Sequence, residues 1–142
     1  EGAVWVHDAH GDLIGQSSLD TYLNLNGYVA KHLQILLADR QVIQISPSGE
    51  LANTCHYESD DCSGACLLDP GKVYIAVGQG DEFYQPSKDT KEAQSRSTFN
   101  SASRVCEPEL LYHQAFIVGQ TYELRTEAAY PFAAPLSFSF DD

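Results

Sequence analysis

The sequence predicts an all-β protein: an antiparallel β-sandwich or partly open barrel of short hairpin-connected strands, stapled by two disulfides. Short alternating stretches are separated by turn signals roughly every 8 to 12 residues, a spacing typical of sandwiches and barrels. No segment carries the apolar stripe of an amphipathic helix. At 142 residues the chain has the length of one domain, so we expect a single domain over residues 1–142.

The first third of the chain predicts a succession of hairpins. Asn26-Gly27 is a strong turn signal, because this dipeptide readily adopts the positive φ angles of a two-residue hairpin loop. Ser46-Pro-Ser-Gly49 is a second clear turn. In this part we expect strands at residues 3–8, 13–16, 21–25, 28–30, 33–37 and 41–45.

The rest of the chain is organised around the stretch from Cys55 to Cys66, which holds three of the four cysteines. The small and polar residues between these cysteines suit a tight reversal of the chain. Gly119-Gln120 predicts the turn of a later hairpin. We expect strands on both flanks of the cysteine reversal and at residues 72–77, 110–118, 121–126 and 136–140.

Residues 78–98 are polar and charged with almost no apolar periodicity, which predicts a long loop that is mobile from Lys88 to Ser97. Phe83 and Tyr84 lie in this stretch. Aromatic side chains give sugar-binding and adhesive surfaces contact area at low entropic cost, so these two are candidate ligand-binding residues. The alternative is that they only tether the loop, and the sequence does not decide between the two.

The four cysteines indicate two disulfides in an oxidising compartment, whereas in the cytosol they would indicate a metal site or buried thiols. Their spacing is not that of a zinc ribbon, which needs two close pairs. Four cysteines allow three pairings. We expect Cys55–Cys66 across the reversal and Cys62–Cys106 as the long-range link, which would stabilise the fold by about 4 kcal/mol.

Charge and hydropathy exclude several classes of partner. Twenty acidic and eight basic side chains give a net charge of −12, without a cluster of lysine or arginine. This acidity would repel nucleic acid and anionic lipid. No apolar run approaches the ~20 residues of a membrane-spanning helix. We therefore expect no nucleic-acid partner and no membrane insertion.

The first residues of the chain indicate the cellular compartment in which we expect the protein. It starts at Glu1 and contains no methionine, which predicts a mature form that has lost a signal peptide, or a cloned piece of a protein. Together with the cysteines, this predicts a protein that is secreted, extracellular or displayed at a cell surface, with the periplasm as another oxidising compartment.

Two motifs in residues 3–77 resemble a known module. Val6-His-Asp-Ala-His-Gly-Asp-Leu-Ile-Gly15 is followed some forty residues later by Tyr57-Glu-Ser-Asp-Asp-Cys-Ser-Gly64. This order is similar to that of an uncharacterised β-rich module of bacterial secreted and surface proteins, often attached to fibre-like or collagen-like proteins. The resemblance implies an extracellular structural or adhesive part and brings no catalytic residues. Cys55 and Cys66 are additional to that motif, so the resemblance does not fix the disulfide pairing.

Asp8, His10 and Asp12 alternate like the start of a calcium loop and are the candidate metal ligands. In an EF-hand the glycine follows the third ligand and a glutamate closes the loop. Here Gly11 comes too early and Asp12 leads into a strand, so a plain turn is the favoured interpretation. We expect no cofactor, with Ca²⁺ as the alternative at these three residues.

Catalytic chemistry finds little support in the sequence. The five histidines are scattered, and a zinc site needs three or four converging ligands. Ser63-Gly64 lacks the second glycine and the strand-to-helix turn of a nucleophile elbow. We assign no catalytic residue and expect a protein that is not an enzyme.

These observations favour a secreted structural or adhesive surface module, such as a subunit of an extracellular filament or fibre. Self-association is one expected interaction, through an unpaired terminal strand at residues 3–8 or 136–140. The first alternative is a module that binds carbohydrate or another polar ligand, such as a cell-surface glycan, through residues 79–98. The second is a small hydrolytic or metal-dependent enzyme, which requires histidines and carboxylates that converge in a pocket.

Overall fold

The computed structural model describes residues 3–18, 32–71, 74–110 and 113–140. These residues form two antiparallel sheets, one short 3₁₀ turn (Gln79–Asp81) and no α-helix, so the predicted all-β class is confirmed. The predicted hairpin around Asn26-Gly27, with its strands 21–25 and 28–30, lies outside the described residues. In the described segments, no helix has the length and hydrophobicity needed to cross a membrane.

Twelve strands are found in the described residues: β1 (Ala3–His7), β2 (Leu13–Ser18), β3 (Leu33–Leu36), β4 (Val42–Ile45), β5 (His56–Tyr57), β6 (Leu67–Leu68), β7 (Ala76–Gly78), β8 (Glu82–Ala93), β9 (Ser97–Asn100), β10 (Val105–Pro108), β11 (Gln114–Tyr122) and β12 (Ser137–Phe140). The backbone divides into two compact units, Glu1–Ala52 with Arg125–Asp142 and Asn53–Leu124. We call them the five-stranded unit and the seven-stranded unit. That the whole chain is a single domain stays a prediction.

The five-stranded unit contains one sheet in the order β12-β1-β2-β3-β4. Its strands alternate as predicted: Val4 and Val6 are buried while Trp5, between them, is partly exposed. The same alternation in β3 buries Leu33 and Ile35 and exposes the residues that follow each of them. Because side chains on a strand point alternately to the two faces, the sheet has one apolar face and one mixed outer face.

The turn at residues 46–49 is fixed by glycine. Gly49 has a φ of +94°, and its carbonyl oxygen accepts a hydrogen bond from the backbone nitrogen of Phe132 at 3.2 Å. A Cβ atom on Gly49 would lie 2.0 Å from the carbonyl oxygen of Phe132. The buried Phe132 segment therefore packs directly on this turn, and only glycine leaves the necessary space.

The seven-stranded unit contains a sheet in the order β10-β9-β5-β6-β11-β8-β7 that curls into a half-barrel. Its β7 edge returns to the segment before β5: Cys55 N donates to Val77 O at 3.1 Å, and Val77 N donates to Asn53 O at 3.0 Å. These bonds accompany a parallel bridge between Thr54 and Val77. The partly open barrel expected from the sequence is therefore found in this unit.

Both predicted disulfides are confirmed. Cys55–Cys66 joins the flanks of the reversal, with the two Cα atoms 5.0 Å apart. Cys62, at its turn, bonds to Cys106 in β10 at a Cα separation of 5.9 Å. The two bonds therefore tie the short strands β5 and β6 together and link their turn to an edge strand of the same sheet.

The predicted long loop at residues 78–98 is wrong, because most of it is β8, the longest strand of the described residues. β8 pairs with β11 over most of its length, whereas β7 covers only its first three residues. From Gln85 onward, no described strand pairs with the second side of β8, which is an edge of the described sheet. Charged side chains and proline protect exposed edges, and β8 carries Pro86 and a run of lysines and acidic residues there. The polar residues that predicted a loop lie along the edge of β8, where they discourage pairing with another strand.

The predicted turn at Gly119-Gln120 is also wrong, since β11 runs through it. The register against β8 shifts between Ile117 and Gly119, which marks a bulge. Gly119 N donates to Cys66 O at 2.8 Å, and a Cβ on Gly119 would lie 3.1 Å from Cys66 Sγ. Glycine is present because the disulfide approaches the strand closely at this point.

Candidate binding surface and assembly edge

A row of outward side chains crosses the five-stranded sheet. Trp5 lies opposite Gln16 in β2, and Gln16 lies opposite Leu36 in β3. On the other side of Trp5 the row continues to Ser139 in β12. Leu36 is 46% exposed, which is high for a large apolar residue on a sheet. Trp5 and Leu36 thus form an apolar centre on the mixed outer face of the sheet.

A groove of about 430 Å³ lies over Trp5, Gln16 and Leu36, within the size range of small-ligand sites. It is entirely within the five-stranded unit, and its floor is formed by β1, β2 and β3. Its walls come from the β3–β4 turn and from the segment that begins at Arg125. The lining residues are Trp5, Leu13, Ile14, Gly15, Gln16, Leu36, Leu37, Ala38, Arg40, Arg125, Thr126 and Glu127.

Arg40 is held over the groove by a tight turn with an unusual backbone. Leu37 N donates to Gln41 O at 2.8 Å, Arg40 N donates to Leu37 O at 3.0 Å, and Arg40 itself has a φ of +71°. Glycine is the usual residue at this left-handed position of a short hairpin loop, because it has no Cβ to clash. The fold therefore accommodates a strained arginine where glycine would fit more easily.

The groove concentrates positive charge in an acidic chain. Arg40 and Arg125 are the only arginine or lysine residues in the described part of the five-stranded unit, and both line it. Glu127 is the one acidic residue of the lining, so the lining has a net charge of +1. None of the ion pairs found among the described residues includes Arg40. The groove is chemically suited to an anionic ligand with an apolar face.

The edges of the two sheets differ in protection. The outer side of β4 is covered by residues 51–52, where Ala52 N donates to Gln44 O at 2.8 Å. The β7 edge is closed by residues 53–55, as described above. At the other end of that sheet, β10 carries Glu107, Pro108 and a disulfide. These are recognised ways of preventing unwanted strand pairing.

In the part of the chain that the structure describes, β12 carries none of these protections. Its sequence is Ser-Phe-Ser-Phe, without charge or proline, and Phe140 is 53% exposed. It pairs with β1 on one side, and no strand in the described part of the chain pairs with its other side. Within the described residues, β12 is thus the terminal strand of its sheet, and pairing through residues 136–140 stays a prediction. The other expected edge, residues 3–8, is not one, because β1 lies between β12 and β2.

A polar cluster surrounds His56 in the seven-stranded unit. His56 Nδ1 donates to Glu109 Oε1 at 2.6 Å, and its Nε2 lies 3.5 Å from Asp69 Oδ2. The hydroxyl of the buried Ser95 also donates to Glu109 Oε1, at 2.7 Å. The two carboxylates lie on opposite sides of the imidazole ring, so the three groups do not converge on one point. The arrangement connects three segments of the chain and presents no shared metal position.

The candidate calcium residues form a turn in which Asp8 is a backbone acceptor. Asp8 Oδ1 accepts hydrogen bonds from His10 N at 3.0 Å and Asp12 N at 2.9 Å, and Asp8 is 2% exposed. His10 and Asp12 are exposed. Across the described ranges, no group of three or more histidine, cysteine or acidic side chains is arranged to hold a metal ion. The favoured turn geometry accounts for the pattern at these three residues.

Phe83 and Tyr84 lie at the start of β8, and the structure does not bring them together as one patch. They are neighbours on a strand, so their side chains point to opposite faces of the sheet. Tyr84 approaches Gly78 and Gly119 and donates from its hydroxyl to Glu82 Oε1 at 3.0 Å. Burial is the main cause that raises the pKa of Tyr84 to about 12, and the Glu82 carboxylate adds to it. As ligand-binding residues they stay a prediction.

Sequence reasoning did not find the groove or the His56 cluster. Trp5 could have been noticed, since it stands between two valines that alternation places inside. Arg40 could have been noticed as the residue at the glycine position of a hairpin loop. Nothing local connects Arg40 with Arg125, or His56 with Glu109, because tertiary folding brings each pair together.

We compared the chain with protein-family models, with curated proteins and with solved structures, and none of them matches it.

Proposed function

We propose that this protein is an extracellular structural or adhesive module that pairs with a second copy of itself through β12. The observation that carries the proposal is that β12 ends its sheet among the described strands and has neither charge nor proline, whereas the other sheet ends described here are covered or carry charge, proline or a disulfide. An unpaired edge strand presents a row of backbone donors and acceptors to another strand. The alternating Ser-Phe sequence would place like residues opposite each other in an antiparallel pair.

The compartment is supported by the cross-links. Two disulfides indicate a non-cytoplasmic, oxidising environment. Secretion or surface display is the form of that environment we propose here, and the module resemblance described above agrees with it. Free thiols in protein isolated from its own source would contradict this part of the proposal.

Charge favours antiparallel pairing of the two copies. Asp141 and Asp142 directly follow β12 in the sequence. In a parallel pair the four carboxylates would stand side by side, whereas an antiparallel pair separates them to opposite ends. Such a contact uses the same patch on both copies and closes as a twofold dimer. A fibre would need an additional contact.

Sedimentation velocity over a range of protein and salt concentrations tests the pairing. Each copy has a net charge of −12, so we expect dimers whose dissociation constant falls as added salt screens the repulsion. The double variant Ser137→Lys with Ser139→Lys places two charges on the edge and should remain monomeric. Ala102→Lys with Ser103→Lys, in an exposed turn, makes the same change in net charge and should still dimerise.

Two results would contradict the proposal. One is a monomer at the highest protein and salt concentrations. The other is a dimer that the edge variant forms as well as the natural sequence does, since the contact would then lie elsewhere.

A further inference from the structure

We propose that the groove over Trp5 is a binding site for an acidic saccharide, with a sugar ring against Trp5 and its carboxylate on Arg40. The site lies on the outer face of the sheet and not in residues 79–98. It does not depend on β12 pairing, because a monomer contains the complete groove.

The charge of the groove selects an anion. A guanidinium binds a carboxylate through two parallel hydrogen bonds, which gives both strength and orientation. Arg40 and Arg125 are both exposed and approach the groove from different segments. In a chain with a net charge of −12 this is a local reversal of sign, and it favours an acidic ligand over a neutral one.

The backbone at Arg40 indicates that its side chain has a use. A non-glycine residue in the left-handed region is strained, and such strain is characteristic of functional positions. The described residues contain four such positions: Arg40, Cys62, Asp81 and Arg104. Cys62 is held by a disulfide, and Asp81 and Arg104 form an ion pair with each other. Arg40 has no such bond among the described residues, and an external carboxylate would supply the corresponding partner.

Trp5 and its neighbours select a sugar ring. A saccharide has an apolar face of C–H groups and a polar rim, which matches an indole bordered by polar side chains. Trp5 is partly exposed beside the apolar Leu36 and the amide of Gln16, and Thr126 adds a hydroxyl to the wall. The groove therefore offers one apolar contact area with donors around it.

An acidic peptide is the other ligand with this charge, and the floor of the groove disfavours it. Bound peptides in extended form pair their backbone with an exposed sheet edge. The floor here is formed by β1, β2 and β3, which are the three inner strands of the sheet and already have neighbours on both sides. Ligand hydroxyls and carboxylates can instead use the side-chain donors of the walls.

Titration with trigalacturonate, followed by tryptophan fluorescence and by calorimetry, tests the site. Trp5 is the only tryptophan of the chain, so its fluorescence reports on this groove directly. We expect a saturable change with trigalacturonate, weakening as salt is added, and a much smaller one with the neutral maltotriose. Arg40→Gly should weaken trigalacturonate binding by at least about tenfold, the effect of losing a hydrogen bond to a charged group.

The variants separate binding from folding. Arg40→Gly also relieves the left-handed strain, so its thermal midpoint should be equal to or higher than that of the natural sequence. Arg40→Asn is a second variant that tolerates this backbone conformation. Arg104→Gly removes the same charge from a residue of the same backbone conformation outside the groove, and should bind trigalacturonate normally.

Three results would overturn the proposal. The first is the absence of a saturable response to trigalacturonate at millimolar concentrations. The second is unchanged binding by a folded Arg40→Gly or Arg40→Asn variant. The third is equal or tighter binding of hexaglutamate, which would make the site a peptide site.

Discussion

The two units of this protein are stabilised in different ways. The seven-stranded unit contains all four cysteines in two disulfides, together with the His56 cluster and the ion pairs described above. The five-stranded unit has no cysteine, and its described residues rely on an alternating apolar face and on tight turns. The unit without covalent links also contains the groove over Trp5 and the terminal strand β12.

This difference shows where each kind of interaction is needed. β5, β6 and β7 have only two or three residues each, too few to hold a register by backbone hydrogen bonds alone. Disulfides fix the positions of β5 and β6 in the sheet, and backbone hydrogen bonds to residues 53–55 hold β7. In the five-stranded unit the strands have four to six residues. In β1, β3 and β4 every second residue is buried, and this burial helps to fix their register. Its outer face can then carry residues selected for contact.

Removal of the long-range disulfide should cause the largest loss of stability, and this loss should fall on the seven-stranded unit. Cys62→Ser with Cys106→Ser opens a loop with a sequence separation of 44 residues, and we expect a loss of about 4 kcal/mol in the free energy of unfolding. Hydrogen exchange measured by mass spectrometry should show the loss of protection in β5, β6, β9 and β10.

The fluorescence of Trp5 is the matched measurement for the other unit. If the two units depend on different interactions, urea should unfold the Trp5 environment at nearly the same concentration with and without the disulfide. A fall in the urea midpoint of Trp5 fluorescence that corresponds to the loss of about 4 kcal/mol would contradict this expectation. The two units would then unfold as one cooperative block.

Gly49→Ala should have the next largest effect, in the five-stranded unit. The new Cβ both strains a residue with a φ of +94° and collides with Phe132 O, so we expect a loss of about 3 kcal/mol. Gly11→Ala is the control, because Gly11 has a φ of +85° but no atom within 4 Å of the position that an alanine Cβ would occupy. It should cost only about 1 kcal/mol. The measurement is urea unfolding with Trp5 fluorescence as the probe. If both variants lost the same free energy of unfolding, the neighbouring backbone would have moved to relieve the collision.

Much of the fold could be predicted from the sequence, because its signals are local. The strands at residues 3–8, 33–37 and 41–45 alternate between apolar and other residues, and a half-buried sheet requires that pattern. The disulfide pairing followed from the position of three cysteines around one reversal. These features depend on neighbours a few residues away, so a single sequence contains the information.

The errors arose where a long-range partner changes the meaning of a local pattern. β8 resembles a loop in sequence because one of its sides is a solvated edge, and only its pairing with β11 makes it a strand. Gly119 resembles a turn residue, although it is there to admit the Cys66 sulfur. The groove is assembled from Trp5, Arg40 and Arg125, which lie far apart in the sequence, and no local signal reports their proximity.

His56→Gln should have an intermediate effect, confined to the seven-stranded unit. The change removes the hydrogen bond at 2.6 Å to Glu109 and leaves a largely buried carboxylate poorly paired, so we expect a loss of about 2 kcal/mol. His113→Gln is the control, since His113 and its partner Glu92 are both mostly exposed. It should change the free energy of unfolding by less than about 0.5 kcal/mol. A similar loss in both variants would show that the cluster is no more than a surface ion pair.

High pH should have the smallest effect and should again weaken the seven-stranded unit. Burial, and then the Glu82 carboxylate, raise the pKa of Tyr84 from 10.0 to about 12, and burial also raises the pKa of Tyr57. Because the folded state favours the neutral phenol, this stabilisation is complete below pH 10 and is lost as the pH rises towards about 12. Tyr84 is partly exposed, so solvent limits the size of the effect. Titration of tyrosinate absorbance should show tyrosines that ionise late in the folded protein, and Tyr84→Phe should reduce their number by one. Loss of the late component in Tyr130→Phe instead would assign it to the five-stranded unit and contradict the prediction.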